Sequence, residues 1–446
     1  MRINFFKSEF SKNVLTLMTG TTMAQALPFL LTPLLARIFT LEDFGLFAVF
    51  YSLTNVVGVI AAARFELALL LPKSHETARK LVVLSILISI FSSFIYLLFI
   101  IFFKKQLVLW TNNPSIEDYL FLLPFAVFVF TVFQIFIYWN NRNKYFKRAS
   151  VGNVAKSGGV SVSSLSIGYA SSGAWGLVLG NIIGNSLGIF VLSRSFLKSG
   201  KIYYSFSELK KVFIKFIDFL KYDTPAAFAY SFSTNGVVFL ISNGFSSTVT
   251  GFYSMTQRIV ATPFSIIISS YTQVFNQKIA NDFVNGVDIS NPVTTNIIKI
   301  FKLLVIPFFL LIYLVPYFET ILLGEKWAGF YQYVYVIAPL IFFTFVVSPL
   351  GYVLKILNKQ NISLRQHIFL LMGKLGSLAI GVYVLHLDVF QTLSLFSMVT
   401  MTIILVNSII ILKTLSVSLK SILQLVFIYI VSVFILTVNY YLIRQS

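Results

Sequence analysis

The chain has 446 residues, 57% hydrophobic and only 11% charged, with a formal net charge of +19 and no cysteine. Soluble domains carry about 25% charged residues, so the composition excludes a soluble enzyme and describes a polytopic membrane protein. It also excludes disulfides, cysteine metal sites and thiol chemistry, and the placement of Lys and Arg in short loops assigns the charge to orientation and anionic lipid rather than to nucleic acid.

A span needs about 20 largely apolar residues. That rule places thirteen helices, at 13–36, 44–70, 80–103, 118–139, 150–169, 174–196, 224–244, 252–275, 297–321, 330–357, 365–385, 390–412 and 420–442. The lead before the first, Met1 to Lys12 with Arg2 and Lys7, is short and basic. It has no small-residue cleavage site, so the first span is expected to be retained. Basic loops at 71–80, 140–150, 197–223, 276–299 and 355–365 put the N-terminus in the cytoplasm. The opposite loops, such as 170–173, 245–250 and 386–389, are short.

The longest polar connection, 198–223, contains SELKKVFIKFIDFLKYD. Val212, Phe213, Phe216, Phe219 and Leu220 share one side, and Lys210, Lys211, Lys215 and Lys221 occupy much of the rest. This is the pattern of an interfacial helix on the inner leaflet. It joins an N-terminal six-helix bundle (1–197) to a C-terminal one (224–412), with an extra C-terminal helix at 420–442. TLEDFGLFAVF (Thr40 to Phe50) and TVTGFYSM (Thr248 to Met255) open the second and eighth spans at corresponding places. Two halves of the same orientation make a parallel repeat, with the substrate path expected between them.

Polar groups inside spans are functional candidates by default. Ser254, Arg258, Thr262, Ser265, Ser269, Thr272 and Asn276 recur at spacings of three and four, one stripe along the eighth helix that must face a cavity or another helix. The fifth span carries Lys156 among serines and glycines and is expected to line a cavity. Lys374 lies nearer mid-depth in the eleventh span, between Gly373 and Gly376. In the second span Arg64 and Glu66 are about 200° apart on a continuous helix, so they are not expected to pair. Glu66 shares its face with Ser52 and Asn55, and Arg64 faces Val57, Ile60 and Ala61. Pro28, Pro33, Pro225, Pro263 and Pro307 mark expected bends. No GxxxxGK[ST] motif and no His/Glu/Asp cluster occurs, so neither a P-loop ATPase nor a metal site is expected.

Thr40 to Lys73, TLEDFGLFAVFYSLTNVVGVIAAARFELALLLPK, resembles the second-span signature of bacterial polysaccharide flippases: an acidic turn, a glycine with aromatics, then RxELAxxLP. Tyr222 to Ala280 is similar to the start of that family's second half, with Tyr253 and Arg258, Pro263, and Gln273-Val274-Phe275 in its pattern. The resemblance implies an all-α integral membrane fold shared with multidrug and toxic-compound exporters and lipid II flippases. That fold has two six-helix bundles around a central, often cationic cavity. It also implies an undecaprenyl-diphosphate-linked oligosaccharide as substrate, an O-antigen, capsule or exopolysaccharide repeat unit, and location in the bacterial inner membrane.

A diphosphate needs fixed cations. Arg258 and Lys374 are the first candidates, with Arg64 and Lys156 behind them. Ser254, Thr262, Ser265, Ser269 and Asn55 are the polar lining expected to meet sugars. Glu66 is the candidate for coupling to a proton or sodium gradient; no cofactor is expected. The alternative on the same fold is a cation-coupled multidrug exporter, disfavoured by the excess of in-span cations over acids. A partner of the polysaccharide polymerase or chain-length machinery is a further reading, and the short external loops argue against a membrane enzyme.

Overall fold

The computed structural model describes residues 9–198, 200, 205–357 and 359–445, which leaves Arg2, Lys7 and Ser446 outside the described residues. Among the described residues the fold is all-α. Packing divides the chain into two units, Met1–Ser247 and Thr248–Ser446.

The first unit holds α1 (Glu9–Leu30), α2 (Thr32–Ile38), α3 (Leu41–Gly58), α4 (Phe65–Ala68), α5 (His75–Thr111), α6 (Leu123–Arg142), α7 (Phe146–Ala170), α8 (Trp175–Leu197), α9 (Phe206–Lys215) and α10 (Thr224–Gly244). The second begins within α11 (Ser247–Thr256) and continues through α12 (Thr262–Val284), α13 (Ser290–Leu323), α14 (Phe330–Val347), α15 (Leu350–Ile356), α16 (Gln360–Ala379), α17 (Val389–Thr414) and α18 (Leu419–Gln445).

Among the described residues helix covers each of the thirteen expected spans, several of them in two pieces. Eight are long and apolar enough by themselves to cross a bilayer, which makes this a multi-pass membrane protein. Two are longer than the hydrophobic runs suggest: α5 has 37 residues and α13 has 34. At 1.5 Å per residue each reaches about 50 Å, against a hydrocarbon core of about 30 Å. Both carry large exposed side chains along their length, such as Phe91 and Phe102 on α5 and Ile306 and Leu310 on α13. Such an apolar surface is stable against lipid and costly against water.

The breaks have local causes. Pro33 cannot donate a backbone N–H, and α1 gives way to α2 there, with Thr32 Oγ1 donating to the Pro28 carbonyl at 2.8 Å. The acidic turn TLED is a helix cap. The Asp43 N–H donates to Thr40 Oγ1 at 3.1 Å, and the Thr40 N–H donates to Asp43 Oδ2 at 2.8 Å. Two residues on, Gly45 lies against the Ser247 carbonyl, where a Cβ would come within 1.9 Å.

Helices α7 and α8 pack through small residues. Gly176, Gly180, Gly184 and Gly188 recur every fourth position on α8, and a Cβ at Gly184 would meet the Lys156 carbonyl and the Val160 nitrogen at 2.6 Å. Ser161 and Ser164 of α7 are buried. A close glycine–serine helix contact thus explains part of the low hydropathy of the fifth span.

Helix α9 turns its apolar side to the protein. Leu209, Val212 and Phe216 join the buried cluster around Phe65 and Trp139. Lys80 ties the base of α5 to α9 through Glu208 at 3.2 Å, besides its own Glu76 at 2.5 Å, and Arg79 donates to the Gly200 carbonyl. The expected amphipathic helix therefore exists, shorter than its pattern, and the bundle covers Val212, Phe213 and Phe216 of its apolar side while Leu220 is exposed. In the second unit α18 is fixed by a buried Asn439, which donates to the Tyr335 carbonyl at 2.9 Å and accepts from Tyr313 at 3.1 Å.

Gly184→Val should drive α7 from α8 and cost about 1–3 kcal/mol, seen as a lower melting temperature of the purified protein; unchanged melting would contradict this packing. The Ser205 N–H, then Lys80, hold the Glu208 carboxyl below its ordinary value. Docking of α9 is therefore expected to be complete above about pH 4.5 and to weaken as pH falls below it. The fluorescence of a tryptophan placed at Phe213 reports this, and Glu208→Gln should remove the pH dependence.

Candidate functional site

The second span is not one helix. α3 stops at Gly58, whose carbonyl is taken by Thr131 Oγ1 of α6 at 3.0 Å. Four successive tight turns follow, including bonds from Ala63 N to Ile60 O at 2.8 Å and from Phe65 N to Ala62 O at 3.0 Å. Ala63 and Arg64 adopt positive φ, 51° and 59°. For side chains with a Cβ this conformation is costly and is held by its surroundings.

The consequence is an ion pair. Arg64 Nη1 lies 3.2 Å from Glu66 Oε1. The expectation that they cannot pair assumed a continuous helix; the left-handed residue at Arg64 swings its side chain onto the Glu66 side. Glu66 is 4% exposed. Glu66 Oε2 and Arg64 Nε are buried without a hydrogen-bond partner among the described residues. Tyr138 of α6 lies within electrostatic reach of both charges. Between them Phe65 points the other way, edge-on to Phe213 of α9 with ring centroids 5.6 Å apart. Arg142 closes the segment, donating to the carbonyls of Leu69 at 3.2 Å and Ser74 at 3.3 Å. RFELALLLPK is thus clamped from α6 and α9.

Asn55 of α3 donates to its own helix at Tyr51 O, 2.8 Å away, and its carbonyl accepts from Ser231 Oγ of α10 at 3.4 Å. Lys156 lies over two rings of α6, Phe133 at 4.4 Å and Phe130 at 5.8 Å. No carboxylate is within ion-pair distance of Lys156 among the described residues. Cation–π contact with these two rings seats the lysine.

In the second unit the polar stripe is divided. Between α11 and α12 the residues Gln257–Ala261, Arg258 among them, form a π turn. Pro263 supplies no N–H to the Ile259 carbonyl four residues back, and a widened turn accommodates the ring. The extra residue in that turn shifts the phase, so Ser254 before it and Thr262, Ser265 and Ser269 after it do not form one straight α-helical row. Several hydroxyls bond backwards: Ser254 to Gly251 O at 2.9 Å, Ser265 to Thr262 O at 2.7 Å, and Ser269 to Ile266 O at 3.1 Å. Thr272 Oγ1 is buried with no partner among the described residues. Arg258 is half-buried. Lys374, on α16, is half-buried beside Gly373, which lies against Ile403 of α17 as its small size permits.

The sequence places Glu319 of α13 at the edge of a span and gives it no role. Its carboxylate accepts from the Gly329 N–H at 3.0 Å and the Tyr331 N–H at 2.8 Å, bracing the start of α14. The signal was its position at the end of an apolar run.

Breaking the second-span pair should be expensive. Arg64→Ala leaves a buried carboxylate and is expected to cost about 3–5 kcal/mol. Arg64→Ala with Glu66→Gln should recover part of that loss, measured as detergent-solubilised melting temperature in a double-mutant cycle. Additive losses would show that the two do not interact.

The fold has known counterparts. The lipid II flippase MurJ in an inward closed conformation superposes with a TM-score of 0.72 at 13% identity, over 96% of this chain and 97% of that one. An inward-facing multidrug resistance MATE family transporter of the MOP superfamily gives 0.59 at 15% identity, over 92% and 95%. The MATE multidrug transporter DinF-BH gives 0.59 at 14% identity, over 92% and 95%. These likenesses establish the fold as that of the MOP transporters. No curated protein matches the sequence. Residues 34–332, well over half the chain and spanning both RFELALLLP and the Arg258 segment, match the family described as polysaccharide biosynthesis protein, and the chain belongs to that family.

Proposed function

We propose that the protein is a flippase for an undecaprenyl-diphosphate-linked oligosaccharide. By alternating access it carries an O-antigen, capsule or exopolysaccharide repeat unit from the cytoplasmic to the outer leaflet of the bacterial inner membrane, with its own N-terminus in the cytoplasm. It acts as a transporter and forms no covalent intermediate. The observation that carries the reading is a charge imbalance inside the spans. Lys156, Arg258 and Lys374 lie within them, while Glu66 is engaged by Arg64 and Glu319 by two backbone amides. A low-dielectric interior with cations in excess favours an anionic ligand.

In this reading Arg258 and Lys374 bind the diphosphate. Arg64 and Lys156 are held in reserve by Glu66 and by the Phe133 ring, and contribute when those contacts open. Ser254, Thr262, Ser265, Ser269 and Asn55 meet sugar hydroxyls. Glu66 couples transport to a proton or sodium gradient. The flipped product passes to polymerase and chain-length machinery.

Vesicles reconstituted with a fluorescent lipid-linked oligosaccharide test this. Arg258→Ala and Lys374→Ala should each slow translocation about tenfold or more, the value of one charge-assisted bond, at unchanged protein level. Normal rates in both variants would remove these residues from the mechanism. The alternative, a cation-coupled multidrug exporter, is favoured by one observation, the partnerless Glu66 Oε2. Raised drug susceptibility of a deletion strain whose surface polysaccharide is intact would select it.

A further inference from the structure

The second unit carries a groove between α13 and α18, away from the residues considered so far. It measures about 360 Å³ and is lined by Phe301 and Lys302 of α13 and by Lys420, Leu423, Gln424 and Phe427 of α18. Both lysines are exposed, and no carboxylate lies within ion-pair distance of either among the described residues. Leu423 and Phe427 stand four residues apart on one helix face, 58% and 61% exposed. Buried Ile428 forms the back of the slot, and Phe301 is braced from behind by Phe342, ring centroids 5.9 Å apart.

The two walls start from the same end of the unit. Ser290 Oγ, at the first turn of α13, donates to the Leu415 carbonyl in the loop before α18 at 2.7 Å. Lys420 is in the first turn of α18, and Phe427 lies about 10 Å further along that helix at 1.5 Å per residue. The two lysines and the apolar side chains of Phe301, Leu423 and Phe427 thus line one slot between the helices. The volume is near the lower end of ligand cavities, about 300–1,000 Å³. It suits a phosphate with the upper part of an acyl chain and leaves no room for an oligosaccharide.

We propose that this groove binds an anionic phospholipid of the leaflet at that end, with its phosphate between Lys302 and Lys420 and an acyl chain along Leu423 and Phe427. Basic pockets between transmembrane helices recognise such headgroups by charge. The lipid would fill the gap between α18 and α13 and hold the last helix in place. The site does not rest on the transport reading.

The test is lipid retention by the purified full-length protein, followed by native mass spectrometry with phosphatidylglycerol and phosphatidylethanolamine offered together. The expected result is selective retention of phosphatidylglycerol. Retention should fall about tenfold or more in Lys302→Ala/Lys420→Ala and persist in Lys302→Arg/Lys420→Arg. Leu423→Trp, which fills the slot and leaves both charges, should also reduce it and gives an answer if the double alanine variant does not fold. Equal retention of the two lipids, or full retention by the alanine and tryptophan variants, would overturn the proposal. So would displacement of phosphatidylglycerol by a polyprenyl diphosphate at matched concentration, which would make the groove part of the transport path.

Discussion

A carboxylate inside a hydrocarbon slab has to find a partner within the protein, because neither water nor lipid will solvate it. The structure meets this demand twice, by different means. Glu319 accepts two backbone N–H groups at the start of α14, donors that any helix start leaves over. Glu66 takes a guanidinium from its own strand of chain, and that requires α3 to end early. The early end in turn depends on α6, whose Thr131 hydroxyl takes the orphaned Gly58 carbonyl. The geometry of the second span, the seating of Phe65 under α9 and the clamp from Arg142 follow from satisfying one buried charge.

The helix breaks elsewhere follow the same accounting of backbone groups. Two of the three π turns, Phe219–Asp223 and Gln257–Ala261, each precede a proline by two residues, Pro225 and Pro263. In both, the carbonyl four residues before the proline lies inside the widened turn, where the ring would otherwise strike it. The third, Ile380–Val384, has no proline behind it and runs out into the turn before the Asp388 cap, where Leu385 N reaches Ile380 O at 2.9 Å. Breaks of this kind let a membrane helix bend without exposing unpaired backbone to lipid.

Much of the fold was legible because a bilayer imposes a length on apolar runs. The eight long apolar helices, including α18, and the amphipathic α9 all follow from that length and from periodicity. What could not be read was where a helix stops for a tertiary reason. VGVIAAARFELA has good helix formers and no proline, and its interruption is dictated by residues of α6 seventy positions away. The pairing of Arg64 with Glu66 was lost with it. Lys156 was legible as a charge at depth, but its seat over Phe133 depends on the approach of α6 to α7. The row of glycines on α8 was a readable signal, and it accounts for the small buried residues on one face of α7.

The backward bonds of Ser254, Ser265 and Ser269 give this helix surface a chemical polarity of its own. Each hydroxyl has spent its single proton on a carbonyl of its own helix, so what it turns outward is a lone pair. A hydroxyl in that state accepts hydrogen bonds and has none to give. It welcomes hydroxyl and amide donors and is indifferent or repulsive to phosphate oxygens, which need protons or positive charge. Arg258 is the cation of this stretch, set in the wide turn between the serines, so acceptor oxygens and a positive charge stand at separate heights along it.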